Sequence, residues 1–278
     1  MRGTRRCPGH PCRPSAPVLA FAALIPALLA AGGAEAAGPA WQTLERDGVT
    51  LRYTPADSAT AAAVLDAAGS GRKSVEAFFG KPFPKPFVVS VFPGRAELTD
   101  FWREEWKAPG FTPECWMVAS GSAGTLSLLS PRAFSTEACD HDPSDARATR
   151  LLLAHELVHV YHSQVSPSAD FDLEEIAWFA EGLATFASGQ LDAGRLGRAR
   201  EAVARGQGPK RLSEAWSGKE RYGFAGSLVA YLDGRFGRAT TVALLAETTA
   251  AGVLGRLGVS EEQLLDGWRR FLAAGGAR

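Results

Sequence analysis

Apolar and polar positions repeat with two different periods along this chain, and the change from one to the other divides it. In "WQTLERDGVTLRYTP", Val49, Leu51 and Tyr53 alternate with polar residues. That alternation predicts a strand entered through an Asp47-Gly48 turn. Ala59–Phe79 has helical composition, with a weak point at Gly69-Ser70-Gly71. "KPFPKPFVVSVFP" reads as a Pro-marked loop and a strand near Phe87–Phe92, and "GRAELTDFWREEW" as a short amphipathic helix. "CWMVASGSAGTLSLLSP" predicts two strands around a turn at Ser120–Gly124.

After about Ser144 the helical period takes over. One helix is expected from a cap at Ser144 or Asp145 to just before Pro167, and a second from an Asp172 cap to a Gly189 stop. A third covers Arg195–Arg205. "GFAGSLVAYLDGRFG" and "TTVALLAET" follow, and "SEEQLLDGWRRFLAAGG" closes the chain behind a Ser260/Gln263 capping pattern. No internal repeat is present, and the linker-like Gly206–Pro209 is too short to separate domains. The expectation is an α+β fold in which residues 37–278 form one domain. Its 37–143 part carries a small mixed or antiparallel sheet, and its 144–278 part is mostly helical.

Composition changes this picture at the N-terminus. A basic "MRGTRRCPGHPCR", an apolar Ala16–Ala31 and small residues at Ala34–Ala36 have the layout of a secretory signal peptide over 1–36. The apolar run holds a Pro and is shorter than the ~20 residues of a membrane span, so cleavage is expected rather than a stable membrane anchor. The protein is therefore expected to be exported, to the periplasm or the medium. Met1–Ala36 carries four Arg and one Glu, which leaves 26 basic and 29 acidic residues, a net charge of about −3. That balance gives no reason to expect nucleic acid as a partner. Cys115 and Cys139 remain after cleavage, and an oxidising compartment favours a disulfide between them; two free buried thiols are the alternative. A cysteine metal site is not indicated, since no CxxC spacing exists.

The chemistry lies in "LLLAHELVHVYHSQ", which holds three of the five histidines. His155-Glu156-Leu157-Val158-His159 is an H-E-x-x-H pattern. Residues i and i+4 project from one side of a helix, so both imidazoles can bind one ion, while Glu156, turned by about 100°, can reach a water beside it. A third ligand is required. Glu181 sits in the apolar middle of "WFAEGLATF", on the next predicted helix, where a carboxylate is costly unless paired or bound to a cation. Two antiparallel helices joined through "SPSADFD" would bring it over both imidazoles. Two His, one Glu and an open fourth position make a catalytic rather than a structural zinc arrangement, with one Zn2+ per chain.

"HELVH" followed by "WFAEGLATF" resembles the gluzincin metallopeptidases, most nearly the peptidase MA-like domains of exported bacterial proteins. The resemblance is specific over about Leu151–Ser188 and weaker over Arg221–Gly237. It implies a zincin-like fold, with the sheet packed on the H-E-x-x-H helix, and hydrolysis of peptide or protein substrates; separately, a monomer is expected. It assigns His155, His159 and Glu181 as ligands and Glu156 as general base. One departure is that Thr185 stands where thermolysin-like enzymes carry a supporting Asp. Thr185 or a backbone carbonyl would then hold an imidazole N–H, with less charge support.

Tyr222, in "ERYGFAG", is the candidate donor to the tetrahedral oxyanion, ahead of Tyr161 and His141. His162 shares the ligand face, but the rise of the helix sets it beyond a shared ion, and a hydrogen-bonded position at the helix end is expected. Trp178 and Phe186 read as core aromatics between the two ligand helices; Trp102, Trp106 and Trp116 read as packing aromatics, with lining of the cleft as the alternative. "SGSAGTLSLLSP" would supply an edge strand for an extended substrate. Two other readings compete with the peptidase: a non-catalytic exported binding module on the same fold, and a chance HELVH in a buried helix.

Overall fold

Gln42–Arg46 (β1) reverses at Asp47 and Gly48, whose φ values of 51° and 73° suit a tight hairpin turn, into Val49–Tyr53 (β2). The two strands pair antiparallel with Leu44 opposite Leu51. Val49, Leu51 and Tyr53 are buried, as their alternation requires. The coordinates are a computed structural model that describes residues 40–167 and 173–276. The leader expected over Met1–Ala36 and the Asp172 cap lie outside the described residues.

Ser58–Phe79 (α1) runs without a break through Gly69-Ser70-Gly71. The weak point is instead a contact point. A Cβ on Gly71 would lie 3.2 Å from the Ala154 backbone and 3.1 Å from Leu157 Cδ1, so the glycine lets α1 lie close against the histidine helix. Val88–Phe92 (β3), Arg95–Glu105 (α2), Ala119–Gly121 (β4) and Thr125–Leu129 (β5) follow. The sheet order is β1-β2-β3-β5-β4. Its centre, β2-β3-β5, is parallel and both edge strands are antiparallel, so the sheet is mixed. β4 is the short outer strand on the side of the histidine helix. Trp102 of α2 is fully buried, with its indole N–H donating at 2.8 Å to Ser127 Oγ of β5. A four-residue turn of helix, Phe134–Glu137 (α3), was not expected from the sequence.

Ala146–Val165 (α4) is capped by Asp145, which accepts the Ala148 N–H at 2.8 Å. Leu173–Ala187 (α5), Ala193–Ala204 (α6) and Arg221–Phe236 (α7) form the helical half around it. α5 and α7 approach closely through glycines. A Cβ on Gly182 would stand 2.4 Å from the Ala225 carbonyl oxygen, and one on Gly226 2.9 Å from Thr185 Cγ2. Arg238–Ala243 (α8), Ala250–Leu257 (α9) and Glu261–Ala273 (α10) complete the chain, the last with the Ser260/Gln263 capping box formed in both directions. No helix among the described residues is long and apolar enough to cross a membrane.

Candidate metal centre

α4 presents His155 and His159 one turn apart, and α5 brings Glu181 over them. His155 Nε2 stands 3.2 Å from His159 Nε2 and 3.2 Å from Glu181 Oε2, and His159 Nε2 stands 3.6 Å from Glu181 Oε2. Zinc bonds of about 2.05 Å in a tetrahedron put neighbouring donors about 3.35 Å apart, and the three measured sides scatter around that value. The three atoms therefore fit a single ion of this size, with one position left for another ligand. Among the described residues these are the cluster suited to hold a metal. Side-chain exposure rises from 6% at His155 through 17% at His159 to 27% at Glu181, which puts the open side toward solvent on the Glu181 flank.

The charges are strongly coupled. Burial by itself would lower the His159 pKa, but the carboxylates of Glu181 and Glu156 outweigh it and push it up to about 9. Burial works the other way on Glu181, and the two imidazoles overcome it, holding that carboxyl well below its usual range. A divalent ion entering the cluster would have to displace the His159 proton. Glu156 is buried, and burial raises its pKa; His155 and His159 oppose the rise and Glu181 adds to it. That raised pKa suits a group that must take up and release a proton.

β4 fixes Glu156 from the sheet side. The Gly121 N–H donates to the Glu156 carboxylate. A Cβ on Gly121 would come within 2.1 Å of the Glu156 carbonyl oxygen and 3.2 Å of His159 Cβ. Both obstacles are at or beside the α4 backbone, which no rotamer change can move. Gly121→Ala is therefore expected to cost about 1–3 kcal/mol by forcing β4 away from α4. An unchanged urea-unfolding midpoint would contradict that close approach.

Tyr222, at the start of α7, lies with its ring 6.1 Å from the His155 ring. Burial raises its pKa and Glu181 adds to the rise, while Arg221 opposes it through its charge and a side-chain hydrogen bond. Trp216 packs edge-on against Tyr222 at 4.7 Å. Arg221 lies over Trp116, Trp216 and Tyr222, at 4.4, 5.4 and 5.4 Å from the ring centres. Neither Arg221 nor Trp216 was singled out from the sequence, where a lone Arg before a Tyr and a Trp in a loop carry no periodic signal.

The remaining expectations divide: those for Thr185, Tyr161 and His141 are corrected, and those for His162 and the disulfide are met. The hydrogen bond foreseen from a ligand imidazole N–H to the Thr185 hydroxyl is not made. The Thr185 hydroxyl and His155 Nδ1 are both buried without a hydrogen-bond partner, and the Thr185 methyl faces Gly226. Tyr161 is no oxyanion donor here, because it is buried in a stack on Phe79 at 4.2 Å. His141 is not one either: its Nε2 lies 3.0 Å from the Trp116 carbonyl in the loop. His162 sits at the helix end against the Leu245 backbone, where burial first, and then His159, push its pKa down to about 3. Cys115 and Cys139 form a disulfide across a sequence separation of 24.

No protein-family model matches the chain, and no curated protein matches it. Solved structures do. An M1 zinc metallopeptidase from Deinococcus radiodurans is similar with a TM-score of 0.49 and 19% identity, over 83% of this chain and 52% of that one. An aminopeptidase N family protein from Idiomarina loihiensis is similar with a TM-score of 0.41 and 14% identity, over 86% of this chain and 42% of that one. The chain spans about half the length of these structures or less.

Proposed function

We propose that this protein is an exported zinc-dependent peptidase that hydrolyses peptide bonds in a peptide or protein substrate. The observation that carries the reading is the triangle of His155, His159 and Glu181 donor atoms, 3.2–3.6 Å on a side, with the Glu156 carboxylate buried beside it. Two imidazoles and a carboxylate are the donor set of a catalytic rather than a structural zinc. Bound there, zinc supplies Lewis acidity that brings the ionisation of water to near neutral pH and polarises a carbonyl.

The protein's own residues supply the rest. Glu156, anchored by the Gly121 N–H, takes the proton from the attacking water and returns it to the leaving amine. Tyr222 keeps its hydroxyl proton across the working range, since burial raises its pKa, and donates a hydrogen bond to the developing oxyanion. β4, as an outer strand, offers unpaired backbone groups to an extended peptide. The Cys115–Cys139 disulfide supports an oxidising compartment, in keeping with export.

The test is a proteome-derived peptide mixture incubated with protein carrying one equivalent of zinc, with new termini read by mass spectrometry. New termini should appear, disappear on chelation and return when zinc is restored. A zinc-loaded protein that generates no new termini across the mixture would rule out the peptidase reading.

A further inference from the structure

Arg221 pairs with no carboxylate among the described residues, and its Nε–H is buried without a partner. The guanidinium is held by ring faces and by a side-chain hydrogen bond to the Tyr222 hydroxyl instead. Trp116 lies 4.4 Å away, with Trp216 and Tyr222 each at 5.4 Å. The clamp is tied down from several sides. Trp116 follows Cys115 of the disulfide, and its carbonyl meets His141 Nε2 at 3.0 Å. Arg95 donates to the Cys115 carbonyl at 3.1 Å and to the Met117 carbonyl on its other side. Trp216 is braced edge-on against Tyr222.

Aromatic faces immobilise a guanidinium without using up its N–H groups; one of these meets the Tyr222 hydroxyl, and a guanidinium has further N–H donors that match a carboxylate. A half-buried Arg without an acidic partner is uncommon unless a ligand supplies one. The acidic side chains of the cluster and the one next to Arg221 in sequence are committed elsewhere: Glu181 to the two imidazoles, Glu156 to the Gly121 N–H and Glu220 to Arg198. Glu181 and Glu156 would repel a substrate carboxylate from the metal-free cluster, whereas Arg221 attracts it. By way of the Tyr222 ring, the guanidinium is at most about 12 Å from the His155 ring, a reach of three to four extended residues at about 3.5 Å each.

We propose that Arg221 is a specificity-determining residue that binds a carboxylate of the substrate, within about three or four residues of the bond to be cut. The carboxylate is either the C-terminus of a short peptide or an acidic side chain. This deepens the peptidase reading and rests on it for its meaning, but binding can be measured without turnover.

The test is the affinity of four probes for metal-free protein and for zinc-loaded Glu156→Gln, followed by tryptophan fluorescence and calorimetry. Acetyl-trialanine as free acid and as amide forms one arm. An amidated acetyl-tripeptide with a central glutamate or a central glutamine forms the other. In at least one arm the carboxylate form should bind about tenfold tighter, as a bidentate charge-assisted pair allows. That arm identifies which carboxylate is read. Arg221→Gln should lose the preference, and Arg221→Lys, which keeps the charge without the planar fork, should retain only part of it; thermal melting of both variants reports folding. No discrimination in either arm, or undiminished discrimination in both variants, overturns the proposal. A preference for the carboxylate form combined with no cleavage of any peptide sinks the peptidase reading alone and leaves the assignment of Arg221 standing.

Discussion

Glu156→Gln is expected to lower peptide hydrolysis by about 10²–10⁴-fold while leaving one zinc bound per chain. The amide matches the carboxylate in size, so the Gly121 N–H keeps an oxygen acceptor and β4 keeps its seat on α4. What the amide cannot do is accept a proton. The three proposed ligand side chains are untouched, because Glu156 is absent from the donor cluster. The measurement is kcat/KM on a cleaved peptide beside zinc content for the same preparation. Retained turnover would remove Glu156 from its role; turnover lost together with the zinc would make it a ligand.

Glu181→Gln is expected to act on the metal itself, weakening zinc by more than about a hundredfold. Loss of a partner that merely supports a ligand already costs 10–100-fold, so loss of the sole anionic ligand costs more. The local charges argue the same way. Glu181 provides the negative charge that holds the two imidazoles 3.2 and 3.6 Å away, and it is the main group raising the His159 pKa. A neutral amide leaves two imidazoles and a dipole to face a dication. Competition with a chromophoric chelator reads the change. Unaltered affinity would show that zinc is held by some other set of residues.

The two predictions differ in how legible they were. The i, i+4 spacing fixes which face of α4 carries His155 and His159, so helical geometry alone brings their Nε2 atoms together. Glu181 was readable because a carboxylate among Phe179, Ala180 and Leu183 has to be compensated, and its partners are the two imidazoles. The strand hairpin at Asp47-Gly48, the Asp145 cap and the Ser260 capping box follow from local chemistry and formed where expected.

What escaped depends on contacts between distant segments. Gly71 looked like a helix breaker, yet its missing Cβ serves the packing of α1 on α4. Gly121 is tied to Glu156 by tertiary approach, which no local pattern records. The aromatic clamp on Arg221 joins the disulfide loop to α7 across about a hundred residues of sequence. Thr185 misled because position relative to Glu181 was read as contact, whereas its methyl is turned to Gly226.

The central claim is that one ion is held by residues of two neighbouring helices. X-ray absorption at the zinc edge on the loaded protein tests it most directly, compared between wild type and Glu181→Gln. The account predicts two imidazole nitrogens at about 2.0–2.1 Å and carboxylate oxygen at about 2.0–2.2 Å, with that oxygen and the tight binding lost together in the variant. A spectrum dominated by sulfur, by six oxygens, or unchanged by the substitution would contradict it.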